Sequence, residues 1–323
     1  MCTAISDSLG YFGRTLDYEI FFGESVVITP RCFPLPYRHL PERQKHLAII
    51  GMAHIADGYP LYYDGMNEKG LAMAGLNFVG NAVYGQPVAG MDHVASFELI
   101  PWVLSQCVNL AEAKDLLGKL QITADAFSET LPPAQLHWMI ADSTGALTVE
   151  MTKNGLQIYE NPVGVLTNNP TFPEQLLGLR DYMQLSAGEP VNRFAPELDW
   201  QPYSRGMGAM GLPGDLSSKS RFVRASFGKL NSVYGKSKES AIRQFFHIMG
   251  TVAQIRGCCR LADSSFEITQ YTCCCDTTKR IYYYTTYENS RIIGVDMYKE
   301  DLDGRNLVSY PLEKEWGFWI QNE

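Results

Sequence analysis

Apolar and polar residues alternate along the first quarter of the chain. CTAIS and GYFGRTLD read as two short strands joined by a tight turn at DSLG. SVVITPR, HLAIIGMA and PLYYDGMNEKGLAMAGLNF extend the strand set, with NEKG as a turn. The period then changes. Leu110, Ala113, Leu116, Leu117 and Leu120 make one stripe at helical spacing, and Asn109 with Glu112 forms an N-terminal capping pattern, so a helix is predicted over 109–120. ASFELIPWVLSQC, just upstream, predicts another helix with Pro101 near its start or at a kink.

Alternation returns in LHWMIADSTGALTVEMTKNGLQIYENPVGVLTNNP, with turns at DSTG and KNG. Helices are predicted over 172–184, 218–233 and 238–253; the last carries Ile242, Phe245, Phe246 and Met249 at helical spacing. The stretch EITQYTCCCDTTKRIYYYTTYENSRIIGVDMY predicts three β-rich strands. Strands in runs followed by helices in runs predict a layered α+β or α/β fold with mostly antiparallel sheets. Residues 186–216 are rich in Gly and Pro and have no period. A structureless insert of that length is usually functional or used in assembly.

Composition narrows the function classes. The chain has 323 residues, enough for one large or two ordinary domains, and 46% of them are hydrophobic. A formal net charge of -8 argues against nucleic acid as a partner, because phosphate binding wants a basic face. The longest uncharged run, 70–91, holds five Gly, two Asn, a Gln and a Pro, so it is rejected as a membrane span. The N-terminus lacks the basic and apolar regions of a signal peptide. A cytoplasmic protein without a membrane partner is expected.

Eight cysteines are present, and a reducing compartment makes structural disulfides unexpected. Cys258 and Cys259 are adjacent, as are Cys273, Cys274 and Cys275, and adjacent cysteines fit zinc spacing poorly. On a strand, Cys273 and Cys275 share one face and Cys274 the other, as small core residues do. The six histidines show no H-x-x-x-H or H-x-H spacing, and His137 and His247 read as structural. Neither a metal nor a cofactor is expected.

The chemistry concentrates at the start, MCTAI. Trimming Met1 would leave Cys2 with a thiol and a free α-amine on one carbon. The thiolate is the nucleophilic form, and an α-amine of ordinary pKa near 8 can take the thiol proton and return it to a leaving amine. Arg14 and Asp17 lie one hairpin away. Arg14 would favour the thiolate, and Asp17 could hold the amine by hydrogen bonding. Each feature alone has an ordinary explanation: a chance Met-Cys start, or a salt bridge at a strand end.

Together, MCTAI, FGRTLDYE, DGMNEKGLAMAGLNF, LHWMIADSTG, GVLTNNPTF, GLPGDLSSKSRFVR, QYT-x-C-x-C-D and IYYYTTYENS resemble the choloylglycine hydrolases, in order and over essentially the whole chain. These are the bile salt hydrolases and penicillin V acylases of the N-terminal-nucleophile superfamily. The resemblance implies an α+β, four-layer αββα sandwich of two mainly antiparallel sheets flanked by helices, as one domain over 1–323. It implies Cys2 as nucleophile and its amine as general base, with Arg14 and Asp17 as the family's RxxD pair. Asn77 and Asn168 would match the oxyanion-hole asparagines, and Arg221 the second active-site arginine. Fixed neutral donors suit a tetrahedral oxyanion. Arg221 falls in the first turn of its helix, where the dipole disfavours a cation, so something else should fix it there.

Asn77, where acylases tend to carry Tyr, leans the resemblance toward conjugated bile salts as substrate. Aromatic and methionine residues within 18–22, 58–66 and 128–138 are candidates to line an apolar steroid cleft, or are core. In the family the corresponding loop is associated with conjugate preference: SRG (Ser204 to Gly206) would imply glycine and the overlapping GMG taurine, and the resemblance leans slightly to glycine. The irregular segment also resembles the family's assembly loop, which implies a homotetramer. The alternatives are a penicillin V acylase or other linear-amide acylase with the same machinery, or a catalytically inactive binding protein of the same fold. A papain-like Cys-His enzyme has no candidate histidine.

Overall fold

The computed structural model describes residues 1–315 and 317–322. The alternating N-terminal segments form β1 (Cys2–Ser6) and β2 (Tyr11–Tyr18), an antiparallel hairpin in which Cys2 pairs with Leu16 and Ala4 with Arg14. Asp7 shapes the turn. Its Oδ1 accepts from the N–H groups of Leu9 and Tyr11, and Gly10 takes φ 85°, a conformation cheap only for glycine. Further along β2, Gly13 lets the strand approach its neighbour: a Cβ there would lie 1.9 Å from the Cys273 carbonyl oxygen.

The remaining strands are β3 (Ser25–Thr29), β4 (Ile49–Ala56), β5 (Tyr59–Asn67), β6 (Ala72–Asn77), β7 (Asp92–Ala95), β8 (Leu120–Thr123), β9 (Leu136–Asp142), β10 (Gly145–Thr152), β11 (Gly155–Glu160), β12 (Val165–Leu166), β13 (Ile268–Asp276), β14 (Ile281–Thr286), β15 (Ile293–Asp296) and β16 (Val308–Pro311). One sheet has the order β12-β1-β2-β13-β14-β15, and a second the order β11-β10-β9-β6-β5-β4-β3-β16, with antiparallel pairing in both. β7 and β8 form a small parallel pair. The sequence pattern did not reveal that pair or β16.

The helices are α1 (Leu99–Leu104), α2 (Leu110–Leu117), α3 (Phe172–Gly178), α4 (Ser218–Asn231) and α5 (Lys238–Gly250). α1 and α2 pack on the eight-stranded sheet, and α4 and α5 on the six-stranded one. The two sheets meet face to face, β1 against β6 and β9, and β2 against β6. The result is the four-layer αββα sandwich. One apolar core fills the inter-sheet space and the α4–α5 side, including Ala4, Ala72, Ala74, Phe12, Phe222 and Phe245. A second lies under α1 and α2. Each fully buried Phe contributes about 2 kcal/mol of apolar burial.

Most helices stop earlier than the spacing predicts. α2 starts after an Asn109 cap whose side chain accepts from Glu112 N, but it ends at Leu117, and Leu120 joins β8 instead. The Glu112 carboxylate reaches back to the Val108 N–H rather than to Asn109. The 172–184 segment is helical to Gly178 and then tightens to a 3-10 turn, Leu179–Tyr182. α4 and α5 close two and three residues before the predicted ends. Within 186–216 the regular structure is a single 3-10 turn, Met207–Ala209.

Candidate active site

Strand alternation distributes the β1–β2 side chains to two faces. Thr3, Thr15 and Asp17 point to the helical side, where Arg221 of α4 bonds Thr3 Oγ1 at 2.7 Å. Cys2 and Arg14 point toward the facing sheet. There Arg14 Nη1 donates to the carbonyl oxygens of Gly75 (2.7 Å) and Tyr63 (3.3 Å), and Nη2 donates to Cys2 Sγ. An R-x-x-D spacing on a strand therefore splits its two charges: Arg14 approaches the sulfur from inside, and Asp17 lies behind the strand.

Arg14 is fully buried, and so is its charged surround. Burial works against its charge, but the negative potential of Cys2 first, then Tyr271 and Asp64, outweighs that and holds the guanidinium above its ordinary pKa. Asp64 accepts from Tyr282 OH (2.6 Å), Tyr271 OH (2.5 Å) and Cys273 Sγ (3.4 Å). Burial pushes Asp64 up, with Arg14 and the two phenols opposing. Cys273, Cys274 and Cys275 are all fully buried, and desolvation drives each thiol well above its usual value. These three thiols are inert core residues, unlike Cys2, which lies on a cleft wall.

Asp17 does not hold the Cys2 nitrogen through its carboxylate. Its Oδ1 accepts from Thr269 Oγ1 at 2.6 Å and its Oδ2 from Thr15 Oγ1 at 3.0 Å; Arg221 Nη1 lies 3.9 Å from Oδ2. Its backbone grips Met1 instead: Asp17 N donates to Met1 O at 2.9 Å, and the Met1 amine donates back to Asp17 O and pairs with Glu267 Oε1 at 2.7 Å. The group that binds Cys2 N is Asn168 Oδ1, at 2.9 Å.

Asn168 is the hub of the site. Oδ1 also accepts from Arg221 Nη2 at 2.7 Å, and Nδ2 donates to the Asn77 carbonyl oxygen at 2.8 Å. Donors on one side and an acceptor on the other fix the amide orientation. Arg221 Nη1 further donates to Cys2 O at 2.6 Å, and Nε to Leu216 O at 3.0 Å. These bonds are what fix a fully buried arginine near a helix start, against the helix dipole. The Asn77 side chain is half-buried, lines the cleft, and has no hydrogen-bond partner among the described residues.

His137 sits behind both asparagines. Its Nε2 donates to Thr167 O at 2.8 Å, its Nδ1 lies 3.1 Å from Glu150 Oε1, and its ring stacks on Phe78 at 4.2 Å. Thr167 precedes Asn168 and Phe78 follows Asn77, so this histidine braces the two loops. Strand position gave no signal of that, because both contacts are made across the fold.

Cys2 and Arg14 open on a cleft of about 530 Å³. Tyr18, Phe22, Leu61, Tyr62 and Tyr63 line it, with 130–136 and Trp138, so parts of all three segments marked in the sequence meet there. Glu24, His54, Phe97, Ile100 and Phe127 line it as well and carried no sequence signal. Among the described residues no helix is long and apolar enough to cross a membrane.

Two antiparallel sheets packed face to face between helical layers, with the first strand's cysteine in a cleft, define an N-terminal-nucleophile hydrolase fold. The chain belongs to the choloylglycine hydrolase family of linear amide C–N hydrolases, which it matches over residues 2–310. It is 49% identical over 324 residues to a bile salt hydrolase/transferase of Lactiplantibacillus plantarum, covering 100% of both chains. It is 37% identical to one of Clostridium perfringens, over 97% of this chain and 98% of that one. A mutant conjugated bile acid hydrolase from Clostridium perfringens superposes with a TM-score of 0.92 at 36% identity, covering 100% of both chains. A penicillin V acylase from Agrobacterium tumefaciens shares the fold, with a TM-score of 0.75 at 20% identity over 96% of this chain and 90% of that one.

Proposed function

We propose that this protein cleaves the amide of conjugated bile salts, releasing a bile acid and glycine or taurine, with Cys2 as nucleophile. Cys2 Sγ against the Arg14 guanidinium, on the wall of a largely apolar cleft, is the observation that carries this reading. Full-length likeness to relatives named for bile salt and bile acid hydrolysis supports the substrate class.

Removal of Met1 frees the Cys2 amine. One N–H keeps Asn168 Oδ1 as its acceptor, which leaves the nitrogen lone pair for the thiol proton. The amine takes that proton as sulfur attacks the amide carbon, and Arg14 stays against the developing thiolate charge. Asn77 offers its unpaired amide N–H to the carbonyl oxygen as it becomes an oxyanion. Asn168, whose Nδ2 is already tied to Asn77 O by one N–H, offers the other and fixes the Asn77 backbone. The protonated amine then returns its proton to the leaving nitrogen, the C–N bond breaks, and a Cys2 thioester remains. Water, deprotonated by the same amine, releases the acid. Asp17 and Arg221 act by position: Arg221 binds the Cys2 carbonyl and Asn168 together, and Asp17 lies beside it.

Residues 186–216 support assembly into a homotetramer, because Phe194 and Tyr203 stand almost fully exposed there and Trp200 more than half exposed. Eight free cysteines suit the reducing cytoplasm. The reduced, Met-trimmed protein incubated in parallel with glycocholate, taurocholate and penicillin V tests the substrate. Fast release of glycine or taurine, with little 6-aminopenicillanic acid, is expected. Dominant penicillin cleavage would keep the machinery and reject the substrate.

A further inference from the structure

The cleft contains a feature that the amide chemistry does not use. Glu24, just ahead of β3, lines it and is only 1% exposed, about as closed off as Cys2 at 2%. Its Oε1 accepts from Phe22 N at 3.2 Å. Its Oε2 is sealed from solvent and has no partner in good hydrogen-bond geometry among the described residues. A buried carboxyl oxygen left unpaired is unfavourable, and native structures rarely keep one without a use. Tyr63 stands beside it and interacts with that carboxyl: burial raises its phenol, and the Glu24 charge and hydrogen bonding to Glu24 raise it further. One more cleft residue, Trp138, also carries a buried polar atom, Nε1, without a hydrogen-bond partner among the described residues. An otherwise apolar cleft thus holds separated polar atoms on different elements, which fits a large apolar ligand carrying isolated hydroxyl groups.

We infer that Glu24 is a specificity-determining residue that pairs with a ring hydroxyl of the steroid. The inference rests on the bile salt reading above. A hydroxyl is the group that satisfies Oε2 in either protonation state of the carboxyl, since it both donates and accepts. The acceptor-only carboxylate or sulfonate at the other end of the substrate gains nothing there. Sites built to bond a hydroxyl discriminate strongly against the analogue that lacks it, because the buried partner is then left unpaired.

The test compares wild type with Glu24→Met, which removes both oxygens at similar volume, and Glu24→Gln, which keeps the bond to Phe22 N and a polar atom at the cleft. For each, kcat/KM is measured on glycine conjugates of cholate, deoxycholate, chenodeoxycholate and lithocholate, which share the C3 hydroxyl and differ at C7 and C12, and of 5β-cholanoate, which has no ring hydroxyl. Wild type should favour conjugates with one particular hydroxyl by about ten- to a hundredfold, mostly through KM. Glu24→Met should flatten that ratio to within about threefold, and Glu24→Gln should retain part of it. Equal ratios in wild type and Glu24→Met would overturn the assignment. So would a wild type indifferent to hydroxylation, a result that needs no folded variant. Cleavage of none of the conjugates by wild type would instead reject the substrate reading, and this inference with it.

Discussion

The two asparagines look equivalent in sequence and are not equivalent in the fold. Asn77 presents a side chain with no hydrogen-bond partner among the described residues, whereas Asn168 joins Cys2, Arg221 and Asn77. Asn77→Ala should therefore lower kcat by about 10²- to 10³-fold with the urea midpoint nearly unchanged. Asn168→Ala should lower kcat and also cost about 2–4 kcal/mol of stability, because it leaves the buried Arg221 and the Cys2 nitrogen short of an acceptor. Steady-state kinetics paired with denaturation of both variants checks this; equal stability loss would reject the distinction. Met1 makes a second prediction. It holds Asp17 and Glu267, and while it remains, the Cys2 nitrogen is an amide with no basic lone pair. A preparation whose intact mass retains Met1 should be inactive, and activity should track the trimmed fraction. Sequence pointed to Cys2, Arg14 and Asn168 as neighbours in the site, and with Met1 in place the Asp17 carboxylate bonds Thr269 and Thr15. A strand turns residues three apart to opposite faces, and the hairpin register puts Arg14 on the thiol's face and Asp17 behind it.

Among the elements, the turn between β5 and β6 is tied to the chain after β3 by a two-pronged ion pair. Arg31 Nε and Nη2 donate to Glu68 Oε1 and Oε2 at 2.9 and 2.7 Å, and Ala48 N adds a third bond at 3.0 Å. Burial alone would raise the Glu68 carboxyl, but the Arg31 fork and Ala48 outweigh it and hold the pKa below the ordinary value of 4.5. A depressed carboxylate stabilises the fold above its unfolded pKa, and that stability is lost as pH falls through the folded value. Glu68→Gln should cost about 1 kcal/mol at pH 7, given that Arg31 is partly exposed and screened. The difference from wild type should shrink as pH drops below about 4.5; urea melts across that range would show it, and a constant difference would reject it. Hairpins and helices were legible here because periodicity and turn residues are local. The helix ends were not, because Leu120 is claimed by the β7–β8 pairing, which overrides the stripe, and the chain after Gly178 tightens into a 3-10 turn. The β7–β8 pair and β16 escaped notice because short strands of four residues hold too few positions to show a period.

For the whole molecule, the exposed aromatics of 186–216 are the feature a monomer does not explain. Phe194 and Trp200 stack on one another at 6.4 Å while facing outward. Light scattering should give four times the 36.2 kDa chain mass. Replacing both residues with Ser should yield a smaller species, and an unchanged mass would move the interface elsewhere.

The sequence by itself determined the hairpin that carries Cys2, the proposed nucleophile, along with the strand and helix runs and the family, since each depends on residues close along the chain or on an ordered set of motifs. It also marked three segments that meet at the cleft. Tertiary structure decided the rest. Packing the layers onto one another sets Arg14 against the Gly75 and Tyr63 carbonyls, threads Arg221 to Asn168, braces both asparagine loops on His137, and buries Glu24 beside the cleft. Those relations join residues tens to hundreds of positions apart, and no local pattern encodes which buried polar atom finds a partner and which is left waiting for one.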